Sequence, residues 1–120
     1  MLSRLITLKN SISQSASKHW LLQRITALLL IPLTFKLIVF LNLCTTASYQ
    51  QTVDWLKSPL NMLIMELWVL VAFYHAALGL QVVVEDYIAQ QPLQAALIKI
   101  INLGLLFLTV ITLFFIFKTF

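Results

Sequence analysis

Three long apolar runs separated by short polar joints dominate the chain. The first is ITALLLIPLTFKLIVFLNLC, residues 25–44; the second runs from about Leu60 to Val84, and the third from about Leu93 to Phe117. A bilayer core about 30 Å thick takes about 20 predominantly apolar residues of helix. The runs therefore predict transmembrane helices over 24–44, 60–86 and 93–117, with an N-terminal segment 1–23 ahead of them, all in one membrane-anchor domain, 1–120. The joint TTASYQQTVDWLKSP parts the first two spans and EDYIAQQP the last two. Pro92 in the second joint suits the first turn of a new helix, where its missing N–H costs nothing. The predicted fold class is an all-α membrane protein with three transmembrane helices.

Composition supports this pattern. Of the 120 residues, 61% are hydrophobic and 10% charged, against about 25% charged in soluble domains. Too few charges remain to clothe a water-soluble surface. The single cysteine, Cys44, can make neither an internal disulfide nor a thiolate metal site alone, and reads as a small apolar filler. Walker loop, dinucleotide fingerprint, paired catalytic carboxylates and zinc spacing are all missing from the sequence. The chain reads as a partner in catalysis carried out elsewhere.

The net charge of +4 comes without a basic patch or basic–aromatic interleaving, so it points away from nucleic acid and toward topology. Arg4, Lys9, Lys18 and Arg24 precede or open the first span, whereas the next joint offers Lys57 balanced by Asp54. Basic residues favour the inner side, so the N-terminus is expected on the cytoplasmic or matrix side, with Arg24 and the Asp86–Tyr87 pair at the same inner level. Residues 1–18 are basic, serine-containing and free of acids, like an organelle transit peptide. With Met1 in place, the expectation is a bacterial inner membrane or a mitochondrial inner membrane served by an organelle-encoded chain. Trp20, Tyr49 and Trp55 lie near span ends, as interfacial anchors do.

The unusual residue is His75, inside the second span in YHAALGLQVVVEDY, residues 74–87. An ionisable group at that depth is expensive and marks a functional candidate. His75 and Asp86 are eleven residues apart, about 16 Å along a helix and within about 20° of the same direction. Gly79 lies on that face too, where absent side-chain bulk would let a flat ligand approach. A neutral imidazole in lipid fits an axial haem ligand. A hydrogen bond to a neighbouring helix and a proton relay are the other readings of the residue. His19 precedes the first span, so a second axial ligand would come from another chain.

At the inner tip, the Tyr87 hydroxyl can donate to a quinone carbonyl and Asp86 can help deliver the two protons of quinone reduction; a belt tyrosine with a helix-ending acid is the alternative. The Arg24 guanidinium suits a haem propionate or another anion, or a lipid phosphate. Lys36 and Glu66 also fall within spans, where a central charge costs about 2.5–3.5 kcal/mol. They either pair across the first two helices or reach outward to water.

SKHWLLQRITALLL (17–30) and YHAALGLQVVVEDYI (74–88) together resemble the small membrane-anchor, or cytochrome b small, subunit family of succinate dehydrogenase, respiratory complex II, of alphaproteobacterial and mitochondrial type. The patterns H-W-x-x-Q-R and H-x-x-x-G-(x)6-D-Y carry the likeness. The resemblance implies a four-subunit complex in which a flavoprotein with covalent FAD oxidises succinate, an iron–sulfur subunit relays electrons, and this chain and a larger cytochrome b anchor bind haem b and build the ubiquinone site. It implies His75 as axial haem ligand, Tyr87 and Asp86 at the quinone, and Arg24 near the haem propionates and quinone pocket. His19, Trp20 and Gln23 belong to the pattern without an assigned role. The anchor of a quinol:fumarate reductase is a related reading. A non-redox assembly or transport component is a distant one, since it leaves the His75–Gly79–Asp86 face unexplained.

Overall fold

The computed structural model describes residues 1–118, with the backbone alone at positions 11–13 and 15. Four helices follow one another: α1 (Leu2–Thr46), α2 (Tyr49–Lys57), α3 (Pro59–Tyr87) and α4 (Gln91–Lys118). Three stretches are long and apolar enough to cross a membrane: Ala16–Thr46, Pro59–Tyr87 and Gln91–Lys118. The all-α, three-span expectation holds, and the chain is an integral membrane protein.

Two elements differ from expectation. The helix that carries the first span does not begin at Arg24; α1 is a continuous helix of 45 residues that takes in most of the N-terminal segment. At 1.5 Å per residue such a helix is about 67 Å long, which matches the 67 Å longest dimension of the molecule. No helix breaker interrupts residues 2–31, and Pro32 is accommodated inside α1, as prolines are in spanning helices. Second, the polar joint contains the short helix α2. Ser48 accepts from the Gln51 backbone N–H while the Gln51 side chain accepts from the Ser48 N–H, a reciprocal cap. Pro59 opens α3 and Pro92 lies in the first turn of α4. The Gln94 amide donates to the Glu85 and Ile88 carbonyls, tying the start of α4 to the exposed end of α3.

Among the described residues α1 and α4 each pack against α3 and not against one another, so α3 is the central element. Its buried residues are Met65, Val69, Leu78 and Val84, while most large apolar side chains elsewhere are exposed, as a lipid-facing chain requires. Lipid removes the hydrophobic drive for helix association, so packing and polar contacts set the register. Between α1 and α3 these are Thr26 with His75, Thr34 with Trp68, and Lys36 with Asn61. Ascending numbers on α1 meet descending numbers on α3, which fixes an antiparallel pair.

This register corrects the inner-level expectation for Arg24. With Thr26 opposite His75, Arg24 stands level with about residue 77, some 13 Å along the axis from Asp86. The discrepancy follows from treating Arg24 as a helix start when α1 extends well beyond it. Lys36 makes no ion pair with Glu66 among the described residues. Its Nζ reaches Asn61 Oδ1 at 3.4 Å and lies 6.0 Å from the Trp55 ring centre, toward the far end of the bundle. Trp55 in turn stacks on Phe40 at 5.9 Å, so it packs within the fold as well as lying near a boundary.

Candidate functional site

A groove of about 750 Å3 runs along the α1–α3 pair, on the half that holds His19 and Glu85. On α1, His19, Gln23 and Ala27 recur every four residues, with Trp20 and Arg24 beside them, so one helical stripe faces the groove. On α3, His75 and Val82 are two turns apart on one face, and Gln81 and Glu85 extend the wall toward the C-terminal tip of the helix. Two imidazoles, two amides, one guanidinium and one carboxylate thus line a cleft flanked by apolar helices.

Partners are unevenly supplied. His75 is half-buried, and its Nδ1 lies 2.8 Å from Thr26 Oγ1, whereas its Nε2 makes no hydrogen bond among the described residues. His19 Nε2 and Gln23 Oε1 are buried with no partner among the described residues. An unsatisfied buried polar group costs about 1–3 kcal/mol, so His19 Nε2 and Gln23 Oε1 are the polar atoms of the groove with bonding capacity to spare. The Arg24 guanidinium lies 5.5 Å from the Trp20 ring centre, and Glu85 accepts from the Gln81 amide at 3.0 Å. A second cleft, of about 620 Å3, is lined by α1, α3 and α4, with Lys18, His19, Gln81, Asn102 and Thr109 as its polar residues beside Tyr74. It lacks His75 and Arg24, so the first groove is the candidate site.

The residues singled out by sequence separate into two places. His75 and Arg24 share the groove. Asp86 and Tyr87 do not line it; both are exposed at the C-terminal tip of α3, Tyr87 by 83%. Gly79 stands against the end of a side chain from α1. A Cβ there would meet Gln23 Nε2 at 3.5 Å, so the glycine seats the Gln23 side chain, and Gln23 in turn lines the groove. His19, expected near the surface ahead of the span, lies within continuous α1 with its Nε2 enclosed.

Sequence reasoning missed Thr26, Gln81 and Glu85 as site residues. Thr26 is the one buried polar side chain among the described residues, 6% exposed. Its signal in the sequence was a lone hydroxyl in an apolar run, and its significance depends on the α1–α3 register.

Comparison with known proteins agrees with this architecture. The family model for the succinate dehydrogenase/fumarate reductase transmembrane subunit matches residues 4–117. Two relatives are named succinate dehydrogenase hydrophobic membrane anchor subunit. The one from Rickettsia bellii is 40% identical over 103 residues, covering 84% of this chain and 82% of the relative. The one from Rickettsia prowazekii is 38% identical over 102 residues, with the same coverage. No solved structure matches the chain significantly. With three spanning helices and a match over nearly its whole length, the chain belongs to the transmembrane-subunit family of succinate dehydrogenases and fumarate reductases.

Proposed function

We propose that this chain is the small anchor of a succinate:ubiquinone oxidoreductase, sharing a haem b with a larger cytochrome b anchor and helping to form the ubiquinone site. A flavoprotein with FAD and an iron–sulfur subunit complete the complex. The names of the relatives favour this direction over quinol:fumarate reduction. The bacterial relatives and the basic inner half of α1 support a bacterial inner membrane with the N-terminus on the cytoplasmic side.

The observation that carries the haem assignment is the His75 ring. Its Nδ1 is engaged by Thr26, and His75 lines a groove that also holds Arg24. Among the described residues no three His, Cys, Asp or Glu side chains come together as a metal site. A single imidazole suits a haem, which His75 would hold together with a ligand from a neighbouring subunit. The unpartnered His19 Nε2 and Gln23 Oε1 and the Arg24 guanidinium suit the polar edge of such a group, with Arg24 holding a propionate. When bound, the haem supplies one-electron redox capacity within the bilayer. The chain's own residues bind and orient it, and the flanking α1 and α3 surfaces exclude water.

The quinone site is a separate place on the same helix. Asp86 and Tyr87 stand eleven and twelve residues from His75, about 16–18 Å along α3, exposed where another subunit can close over them. Tyr87 donates to a quinone carbonyl and Asp86 holds and passes a proton as the quinone takes two electrons and two protons. Arg24 lies too deep along α1 to share that tip and works with His75.

The test is the visible spectrum of the purified complex with His75→Ala. Loss or alteration of the b-type absorbance is expected; an unchanged haem spectrum and content would overturn the ligand assignment.

A further inference from the structure

We propose that Thr26 is the positioning residue for His75: its hydroxyl accepts the Nδ1–H of the imidazole and so holds the tautomer whose Nε2 lone pair is left for a metal. The proposal rests on the reading of His75 as an axial ligand and goes beyond it, because it assigns the proton and names the residue that fixes it.

Hydrogen-bond accounting at one oxygen carries the assignment. Thr26 Oγ1 lies 2.8 Å from the Leu22 carbonyl, 3.0 Å from the Gln23 carbonyl and 2.8 Å from His75 Nδ1. A hydroxyl has one proton and two lone pairs, and a carbonyl only accepts. Two carbonyl oxygens this close are attractive only if the hydroxyl proton points at them, as threonine commonly bonds back to the preceding turn. With that proton engaged, contact with Nδ1 is favourable only if the ring nitrogen carries its own hydrogen. The opposite arrangement would turn the hydroxyl proton to Nδ1 and set its lone pairs against both carbonyls. A neutral imidazole protonated at Nδ1 is unprotonated at Nε2, the atom with no hydrogen bond among the described residues.

The site is built for this. Thr26 is 6% exposed, so neither water nor lipid offers His75 another acceptor at that oxygen. The chain from Nδ1–H to hydroxyl to helix carbonyl polarises each link in a medium of low dielectric. Donation from the far nitrogen orients a ligating ring and raises its basicity, and loss of such a partner typically weakens metal binding about 10–100-fold. The bond also joins α1 to α3, so the backbone of one helix sets the donor strength of a ligand on the other.

The experiment compares Thr26→Val, which keeps the shape and loses the hydroxyl, with Thr26→Ser, which keeps the hydroxyl. Both are purified as the whole complex and read for haem per complex, haem midpoint potential and the low-spin ferric EPR signal. The expected result for Thr26→Val is haem affinity lowered about 10-fold or more, with the remaining haem at a more positive potential. Thr26→Ser should keep wild-type content and potential. Wild-type content, potential and EPR signal in Thr26→Val would overturn the proposal. So would equal loss in Thr26→Ser, which folds with the hydroxyl present and tests the claim even if the valine variant does not assemble. His75→Ala separates the two layers: altered haem there with an unaffected Thr26→Val sinks the Thr26 role alone, whereas unaltered haem in His75→Ala sinks the ligand reading and this proposal with it.

Discussion

The Trp68 indole N–H donates to Thr34 Oγ1 across the α1–α3 interface at 3.1 Å. Two turns of α1 separate Thr34 from Thr26, and about two turns of α3 separate Trp68 from His75. The two polar contacts therefore repeat along the same antiparallel pair and hold one register. That register, rather than either helix alone, brings Arg24 and His75 to the same groove.

Replacing Thr34 with valine removes the acceptor and leaves the shape. Interhelical hydrogen bonds in membranes average about 0.6 kcal/mol, with a maximum near 1.7. The expected outcome is a complex destabilised by about that amount, seen as a slightly lower thermal midpoint, with an unchanged haem spectrum. A large spectral change would mean that the register is far softer than the paired contacts indicate.

Gly79 offers a graded test of how α1 sits on α3. A Cβ there meets the end of the Gln23 side chain at 3.5 Å, an ordinary contact, so Gly79→Ala should assemble with near-normal haem content. Gly79→Leu brings more bulk against the same side chain and should displace Gln23. Overpacking of this kind costs roughly 1–3 kcal/mol. Thermal melting and haem content of the purified complexes distinguish the two variants.

Tyr87→Phe keeps the ring and removes the hydroxyl at the exposed tip of α3. A hydrogen bond is worth about 0.5–1.5 kcal/mol net, so quinone reduction should fall roughly 5-fold. Succinate oxidation by an artificial acceptor should hold. Equal losses in the two assays would argue against a quinone contact.

Arg24→Leu addresses the depth correction. Arg24 stands some 13 Å from Asp86 along the helix axis. The variant should lower haem retention about 10-fold or more, as loss of a charged hydrogen-bond donor does, and leave the KM for quinone within about twofold. A rise in quinone KM with intact haem would return Arg24 to the tip.

Much of the site was legible in the sequence because each clue lay within one segment. An imidazole in an apolar run is conspicuous whatever surrounds it, and the Asp86–Tyr87 close of the second span is a local signal. Thr26 was not legible in this way. A threonine in a span ordinarily bonds its own helix, and nothing in ITALLL shows that His75 stands opposite. The neighbour of Gly79 was hidden for the same reason: its place on the His75 side of α3 follows from helical periodicity, but the side chain seated against it comes from α1. Helix α2 had a signal that the three-span pattern obscured, the Ser48–Gln51 spacing of a reciprocal cap.

The sequence by itself determined that three segments cross a bilayer, since backbone groups in lipid must be bonded within a helix and apolar length is a property of one segment. It also determined that a histidine lies in the middle span and an acid–tyrosine pair at its end. Only the tertiary structure decided which residues on different helices share a level. With no hydrophobic drive between helices in lipid, that choice falls to a few polar contacts and one glycine, Thr26–His75, Thr34–Trp68, Lys36–Asn61 and the Gln23–Gly79 approach. Such contacts are distant in sequence, so no single segment records them.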